Sequence, residues 1–567
     1  MSTLNVTSIK GRAGATPNFP DGAIVSGIAT IGAGGIDVTG VVTATSLESD
    51  TKISAGSSIT ATNFYGDGAN LTNLPSQSPV ITGIASGTIP ANRALCVMSD
   101  GKVGLITGTK LTYGAAAAIQ ATGAGSISGN YTYDIAYGGG KVFVIAKDGS
   151  SNSGRCVAGT PNADGLTVTW GAWTEFESSI TSYCRAVYDS NADKFVIAYN
   201  RSTAIKTRVA TVSGTSITYG TETEIIAANA ETIEGCFDPD TNQIIWAYKT
   251  GTNIFYSRIG AISGTSISYG TQVTISGNNS NGPTGVTYDT KNNKVILSTG
   301  YNGDQSNNGW AFIGTVSGTG YVGNAVASAG IINYNYTNGR LMMEYDEERE
   351  RIIFAGFNAN NLQWESLVGT YVSATSITWG GPNLIEKYSS ATGSYNQLAY
   401  DPYAKVYGFI YNNTSGDLVM YSRGTINPAE CSEPEKMVWS TPTQLYKGSY
   451  GNLGIANIGN AFLLSYGVTS ASVGNYIPYY RLAGFRDSTL SADGSNYIGY
   501  SADAYTDGQT ATVQIVGNVS TQVGLTPGLK YYIQGDGGLA SFVDPNLPSS
   551  SYKEAGVALS ATKLLIK

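Results

Sequence analysis

Histidine is absent from this chain, which removes the Ser-His-Asp and Cys-His arrangements of nucleophilic catalysis and the commonest metal ligand. The five cysteines (Cys96, Cys156, Cys184, Cys236, Cys431) form no CxxC pair, leave one over in any disulfide scheme and lack metal-ligand spacing. They read as small buried apolar residues. The adjacent carboxylates Glu347 and Glu348 stand beside Arg349 and Arg351 in what should be a hairpin turn, which suits an exposed ion-pair cluster better than an acid/base pair. Arginines recur at Arg155, Arg208, Arg258, Arg423 and Arg481. A residue repeated along the chain is a scaffold feature, whereas an active site occurs once. Asp189, Asp238, Asp289, Asp346 and Asp401 each open a polar turn with too few further acids for a calcium loop. An Asx-type turn, the carboxylate capping backbone N–H groups, is expected there. Neither a metal, a cofactor nor an enzymatic activity is expected.

Aromatic and amide side chains remain, and their chemistry is recognition. Tyr occurs 38 times and Trp 7 times. An aromatic face packs on sugar C–H groups while amides bond the hydroxyls. Such residues gather in segments that differ freely from one another: Ile275-Ser-Gly-Asn-Asn-Ser-Asn-Gly282, Tyr301-Asn-Gly-Asp-Gln-Ser-Asn-Asn-Gly-Trp310, Ile332-Asn-Tyr-Asn-Tyr336 and Tyr446-Lys-Gly-Ser-Tyr450. Variable loops on a rigid scaffold are where binding residues concentrate. The candidate ligand-binding residues are Tyr301, Trp310, Tyr334, Tyr336, Tyr388, Tyr395, Tyr446 and Tyr450.

The scaffold follows from composition and repetition. With 567 residues, 72 of them Gly, only 13% charged and few helix formers, the chain fits several all-β domains of short Thr, Tyr, Val and Ile strands. One repeated unit is a strand ending in Tyr-Asp or Phe-Asp, a polar turn and a second strand. It reads Val187-Tyr-Asp-Ser-Asn-Ala-Asp-Lys-Phe-Val-Ile-Ala-Tyr199 and Cys236-Phe-Asp-Pro-Asp-Thr-Asn-Gln-Ile-Ile-Trp-Ala-Tyr248, with copies at Tyr288, Tyr345 and Tyr400 and weaker ones at Tyr137 and Ala456. A second marker, a Ser-Gly-Thr-Ser turn and a short strand ending in an aromatic residue and Gly, is clearest at Val212–Gly220 and Ile262–Gly270. It recurs at Tyr113, Trp170, Trp379 and Trp439, with a degraded copy near Tyr321. Both markers indicate seven units of four antiparallel strands, the pattern by which a β-propeller protects its sheet edges. An open solenoid is the second choice. If the Tyr-Asp strand is innermost, its turn and the Ser-Gly-Thr-Ser turn share one face, and the variable loops occupy the other.

The expected organisation is an N-terminal intertwined β stalk and virion-attachment region over 1–80, a small β module over 81–107, a seven-bladed β-propeller over 108–486 and a C-terminal β domain over 487–567. The Ile24–Gly32, Ile36–Thr45 and Ser58–Phe64 strands are too short and Gly-rich to bury a core alone, so several chains should wind together. Part of the C-terminal region echoes the small module: Leu525–Leu539 parallels Thr88–Val103, each a strand, a Gly turn and a strand. The propeller therefore reads as an insertion into a small β module.

Net charge is −8 with no Lys/Arg run, so no nucleic-acid partner is expected, and no apolar stretch reaches the length of a membrane span. The first residues lack the basic and apolar regions of a signal peptide. Folding in a cytosol is expected.

The opening Leu4-Asn-Val-x-x-Ile-Lys10, the block Phe64-Tyr-Gly-Asp-Gly-Ala-Asn-Leu-Thr-Asn-Leu74, the repeat itself and the ending Glu554-Ala-Gly-Val-Ala-Leu-Ser-Ala-Thr-Lys-Leu-Leu-Ile-Lys567 resemble tail-fibre and related virion proteins of marine cyanophages. The resemblance covers most of the chain. It implies a virion component on the tail or capsid surface, assembled in the host cytoplasm, typically a homotrimer that contacts other virion proteins through its N-terminal region and host cell-surface glycan through its propeller. The alternatives are a capsid, whisker or tail-tip decorating protein without receptor contact, and a glycan-degrading propeller enzyme. Sialidase-type propellers carry Ser-x-Asp-x-Gly-x-Thr-Trp turns, which do not occur here.

Overall fold

The long apolar runs of the repeat become strands buried on both faces. In Gln243–Thr250 every one of the eight side chains is buried. A strand covered on one face would alternate, whereas one sandwiched between sheets reads as a continuous run, here Ile244-Ile-Trp-Ala-Tyr248. The computed structural model describes residues 79–567 apart from short internal segments, the longest being 486–495. The stalk expected over 1–80 lies outside the described residues except for Pro79 and Val80. Residues 75–567 form a unit separate from 1–74.

The described residues are all-β, with no α-helix among them. Between Leu111 and Phe485 run seven successive antiparallel sheets. Their first strands are Tyr133–Gly138, Ser182–Asp189, Ala230–Asp238, Ser280–Asp289, Met342–Asp346, Asn396–Asp401 and Tyr450–Asn457, and they define sheets 1 to 7 here. Each first strand touches the first strand of the next sheet, and that of sheet 7 touches that of sheet 1. The Tyr-Asp strands are therefore the ones that meet at the middle.

There is no single core. Separate apolar clusters fill the spaces between neighbouring sheets. Phe143, Ile145 and Cys156 of sheet 1 pack on Cys184, Phe195 and Tyr199 of sheet 2. Val187 and Val196 of sheet 2 pack on Ile244 and Trp246 of sheet 3. Tyr133, Val142 and Val144 of sheet 1 pack on Leu463, Tyr480 and Leu482 of sheet 7. Each fully buried side chain of this size contributes about 1.5–3 kcal/mol by leaving water. Stability therefore depends on every sheet having two neighbours.

The outer strand is usually broken in two. In sheet 2, Ser216–Tyr219 and Thr223–Ile226 both pair with the third strand, Ala204–Ser213. Gly220 lies at the break. A Cβ there would run into the backbone oxygen of Thr265, in the Ser-Gly-Thr-Ser turn of sheet 3. Gly171 meets Thr215 of sheet 2 in the same way. The aromatic-Gly motif thus marks where one sheet's turn presses on the rim of the sheet before it.

Sheet 7 is completed by residues from the other end of the repeat region. Its third strand, Asn475–Phe485, pairs with Leu111–Tyr113, Ala117–Ala118 and Ile127–Ser128. Outside the ring, Val80–Ser86, Ala94–Val97 and Val103–Leu105 close a barrel with Tyr497–Ser501 and Thr510–Gln514. Strands from 81–107 and from 497–514, expected in separate domains, therefore close one barrel. A further sheet, from Val519 to Ile566, packs on it through Tyr531, Ile533 and Leu564.

Candidate functional site

The two ends of the seven sheets are built differently. At one end lie the Tyr-Asp turns. Four residues separate the first two strands in each of sheets 2 to 6 (190–193, 239–242, 290–293, 347–350, 402–405). The aspartate that opens each turn is buried and accepts backbone N–H groups. Asp189 accepts from Asn191 and Ala192 at 2.9 and 2.8 Å, and Asp289 from Lys291 and Asn292 at 3.0 Å. Asp346 and Asp401 accept from Arg349 and Ala404. The fourth residue of each turn is left-handed, with φ of 52° to 57° at Asp193, Asn242, Asn293, Glu350 and Lys405. These are Asx turns. Glu348 pairs with Lys405, Glu350 with Lys291, and Arg349 with Asp346, so the charged hairpin ties sheet 5 to sheets 4 and 6.

The repeated arginines fasten the scaffold. Arg208 donates to the Gly220 carbonyl at 3.4 Å and to the Tyr199 hydroxyl at 3.3 Å. Arg258 donates to the Gly270 carbonyl at 2.8 Å, and Arg155 pairs with Asp148 at 3.0 Å. The buried thiols are chemically quiet: burial pushes Cys184 up to about 12 and raises Cys156 well above the ordinary range. Cys431 lies outside the described residues.

Where the first strands meet, a polar network crosses the middle. Arg185, almost fully buried, pairs with Glu234 of sheet 3 at 2.8 Å. Gln397 of sheet 6 donates to Asp134 of sheet 1 at 3.0 Å, across 263 residues of sequence, and accepts the Ile455 N–H of sheet 7 at 2.9 Å. Asp134 also accepts the Ala186 N–H of sheet 2. These contacts bind five of the sheets together at one level and leave those groups committed to one another.

Two carboxyls have unusual acidity. Burial pushes Glu344 and Glu365 up to about 8. Glu365 accepts from Gln363 and, at 3.4 Å, from Asn358. In the unfolded chain a glutamate titrates near its ordinary value of about 4.3. The folded protein thus holds more protons over the interval up to about pH 8, and stability falls as pH rises through it. Replacing Glu365 with Gln should flatten that fall. Between pH 6 and 8 the wild type should lose about 2 kcal/mol more than E365Q, measured by chemical denaturation. Parallel curves for the two proteins would refute it.

The other end carries the connections between second and third strands, which run from two residues (202–203) to six (302–307), and the crossings between sheets, which range from 448–449 to 333–341. All eight candidate aromatics fall in or beside these connections. Tyr334 and Tyr336 lie outside the described residues. Tyr301 ends the second strand of sheet 4, in register with Ser280 and Asn308, and Tyr450 opens the first strand of sheet 7, opposite Val468. Trp310 is half-buried against the cluster between sheets 3 and 4. Tyr388 is buried, stacks on Phe357 at 6.3 Å and donates to Glu386 at 2.8 Å. Tyr395 and Tyr446 pack between sheets 6 and 7, Tyr446 stacking on Tyr466 at 5.5 Å. The six described candidates thus lie at one end, and four of them share their rings with the scaffold.

A second concavity was not signalled by the sequence. A cleft of about 470 Å³ opens on the outer rim between sheets 5 and 6, beside Thr370, Thr378, Asn383 and Lys436.

No protein-family model matches this chain, and no curated protein matches it. Among solved structures it is similar to a Trypanosoma rangeli sialidase, with 11% identity, 58% of this chain and 56% of that one covered, and a TM-score of 0.34. This chain thus spans little more than half of the sialidase. A triple arginine-to-alanine mutant of AofleA from Arthrobotrys oligospora is similar at 8% identity over 65% of this chain and 99% of that one, TM-score 0.36. A chain of a nidogen/laminin complex is similar at 12% identity over 50% and 89%, TM-score 0.30.

Proposed function

We propose that this chain is a phage virion protein, a tail fibre whose seven-bladed β-propeller binds host-surface glycan without degrading it. One observation carries the reading. Sheets 2 to 6 share four-residue Asx turns at one end, and at the other end loop length and sequence change from sheet to sheet. A rigid scaffold that carries variable connections is suited to display. Near the middle, Glu234 is occupied by Arg185, and Asp134 by Gln397 and a backbone N–H, which suits a structural role for these two. In this reading residues 1–78 supply trimerisation and attachment to other virion proteins.

The test is adsorption. Full-length protein should bind marine cyanobacterial cells and block phage adsorption to them. Replacing Tyr301, Tyr334 and Tyr336 with Ala should weaken that binding at least tenfold with little change in thermal stability. Binding unaffected by the triple replacement, but lost on altering the Asx-turn end, would put the site elsewhere. Turnover of envelope glycan by the purified protein would favour the enzyme.

A further inference from the structure

Exposed apolar side chains are spread unevenly over this protein. Among the described residues nine large ones are exposed, and eight of them lie outside the seven sheets, in the barrel, in the sheet from Val519 to Ile566 or in their turns. The seven sheets, which hold most of the chain, contribute one, Leu384. Charge is missing from the same region. Residues 79–92 and 508–529 contain no Asp, Glu, Lys or Arg. The two stretches are neighbours in space, because Val80–Ser86 pairs with Thr510–Gln514 in the barrel.

Register decides which side chains point outward. Ala85, Ala511 and Val513 are buried inside the barrel. Val80, Thr82 and Ile84, in register with Gln514, Thr512 and Thr510, therefore take the outer face. Val80 is 46% exposed and Ile84 44%. The Ile515 N–H donates to the Pro79 carbonyl at 2.9 Å, which sets Val516, 64% exposed, at the start of this face. Another side of the barrel is already covered: Ala94, Cys96 and Tyr500 pack on Tyr531 and Ile533 of the sheet from Val519 to Ile566. The bare face is apolar and hydroxyl-bearing without a charge, which is the composition of an interface core.

We infer that this outer face of Val80–Ser86 and Thr510–Gln514, with Val516, packs against a second copy of the chain. Two observations select that occupant. A face without charge offers a foreign partner no charge pattern to recognise. The face also begins at Pro79, directly after residues 1–78, which the reading above makes the trimerising region. Copies joined through 1–78 carry their Val80–Ser86 strands on tethers of almost no length, so a second contact forms at the high effective concentration of a short linker. The inference rests on that reading and extends the assembly into the barrel. It also says which end of the ring stays free. In each sheet the first strand ends at the turn to the second, and the third strand, running the same way, ends there too. In sheet 7 the third strand ends at Phe485, opposite Leu111, so both crossings between ring and barrel leave from the Asx-turn end. Association through the barrel leaves the variable connections at the other end unobstructed.

The test places the photo-crosslinking residue p-benzoylphenylalanine at Ile84, at Val516 or, as a control, at Leu384 of the full-length chain, all three exposed. Light scattering gives the number of chains, and mass spectrometry maps the adducts. Irradiation should join Ile84 and Val516 probes to another chain and leave the Leu384 probe without inter-chain adducts. Ile84→Lys added to the Val516 probe should cut the inter-chain yield at least tenfold with unchanged far-UV circular dichroism. If the protein is an oligomer but the two barrel probes react only within their own chain, with residues 1–78 or elsewhere, or not at all, the inference is overturned while association through 1–78 stands. Equal inter-chain yield from Leu384 would mark random collision and overturn it too. A monomer would overturn both the inference and the trimer reading beneath it.

Discussion

Deleting residues 1–130 should leave a protein that does not fold cooperatively, although every Tyr-Asp unit remains in the chain. The deletion strips Leu111–Tyr113, Ala117–Ala118 and Ile127–Ser128 from the edge of sheet 7. It also removes three of the five strands of the barrel. Sheet 7 would then face sheet 1 with an unpaired edge, and the cluster of Tyr133, Leu463, Tyr480 and Leu482 would lose Ile119 and Ile127. In a closed ring one failed boundary opens all the others. Deleting only residues 1–78 should keep every described sheet. Melting by circular dichroism separates the cases: the shorter deletion should melt within about 3 °C of the full chain, the longer one more than 10 °C lower or as an aggregate. A longer deletion that melts like the full chain would show that the ring does not need these strands.

Replacing Trp364 with Ala should cost about 3–5 kcal/mol, among the largest effects of any single substitution. Trp364 is fully buried on the third strand of sheet 5. Its ring meets Phe357 at 5.1 Å within the sheet and Phe409 and Tyr411 at 5.5 Å in sheet 6. Its indole N–H donates to the Asn412 carbonyl of sheet 6 at 3.1 Å. Truncation leaves a cavity at a sheet boundary and an unanswered carbonyl. Trp364→Phe keeps most of the volume and should recover about half the loss. Guanidinium unfolding reads both. A Trp364→Ala protein within 1 kcal/mol of wild type would mean that the boundary between sheets 5 and 6 contributes little.

These features differ in how far they can be read from sequence. The Asx turns are legible because Asp189 and the N–H groups it caps lie within three residues. The aromatic-Gly marker is visible as a motif, but its cause is not: Gly220 answers to Thr265, in another sheet. The marker at Tyr113 belongs to sheet 7, because Tyr113 pairs with Ala483. Its position ahead of the first Tyr-Asp copy is the trace of closure. Gln397 and Asp134, 263 residues apart, show no local pattern at all. The aromatic candidates were legible by position and ambiguous by role. Tyr388 stands in a variable connection and Tyr446 on the strand Thr443–Lys447 beside one, and both fill gaps between sheets, because a tyrosine offers an apolar body to the core and a polar tip to water.

The most direct measurement of the account's central claim is made on the particle. Antibody raised against the seven-sheet region, residues 111–485, and gold-labelled on phage particles encoding this chain, should mark the free ends of tail fibres, and its Fab fragments should block adsorption to the host. Label on the capsid with adsorption unimpaired, or no label on the particle, would contradict it.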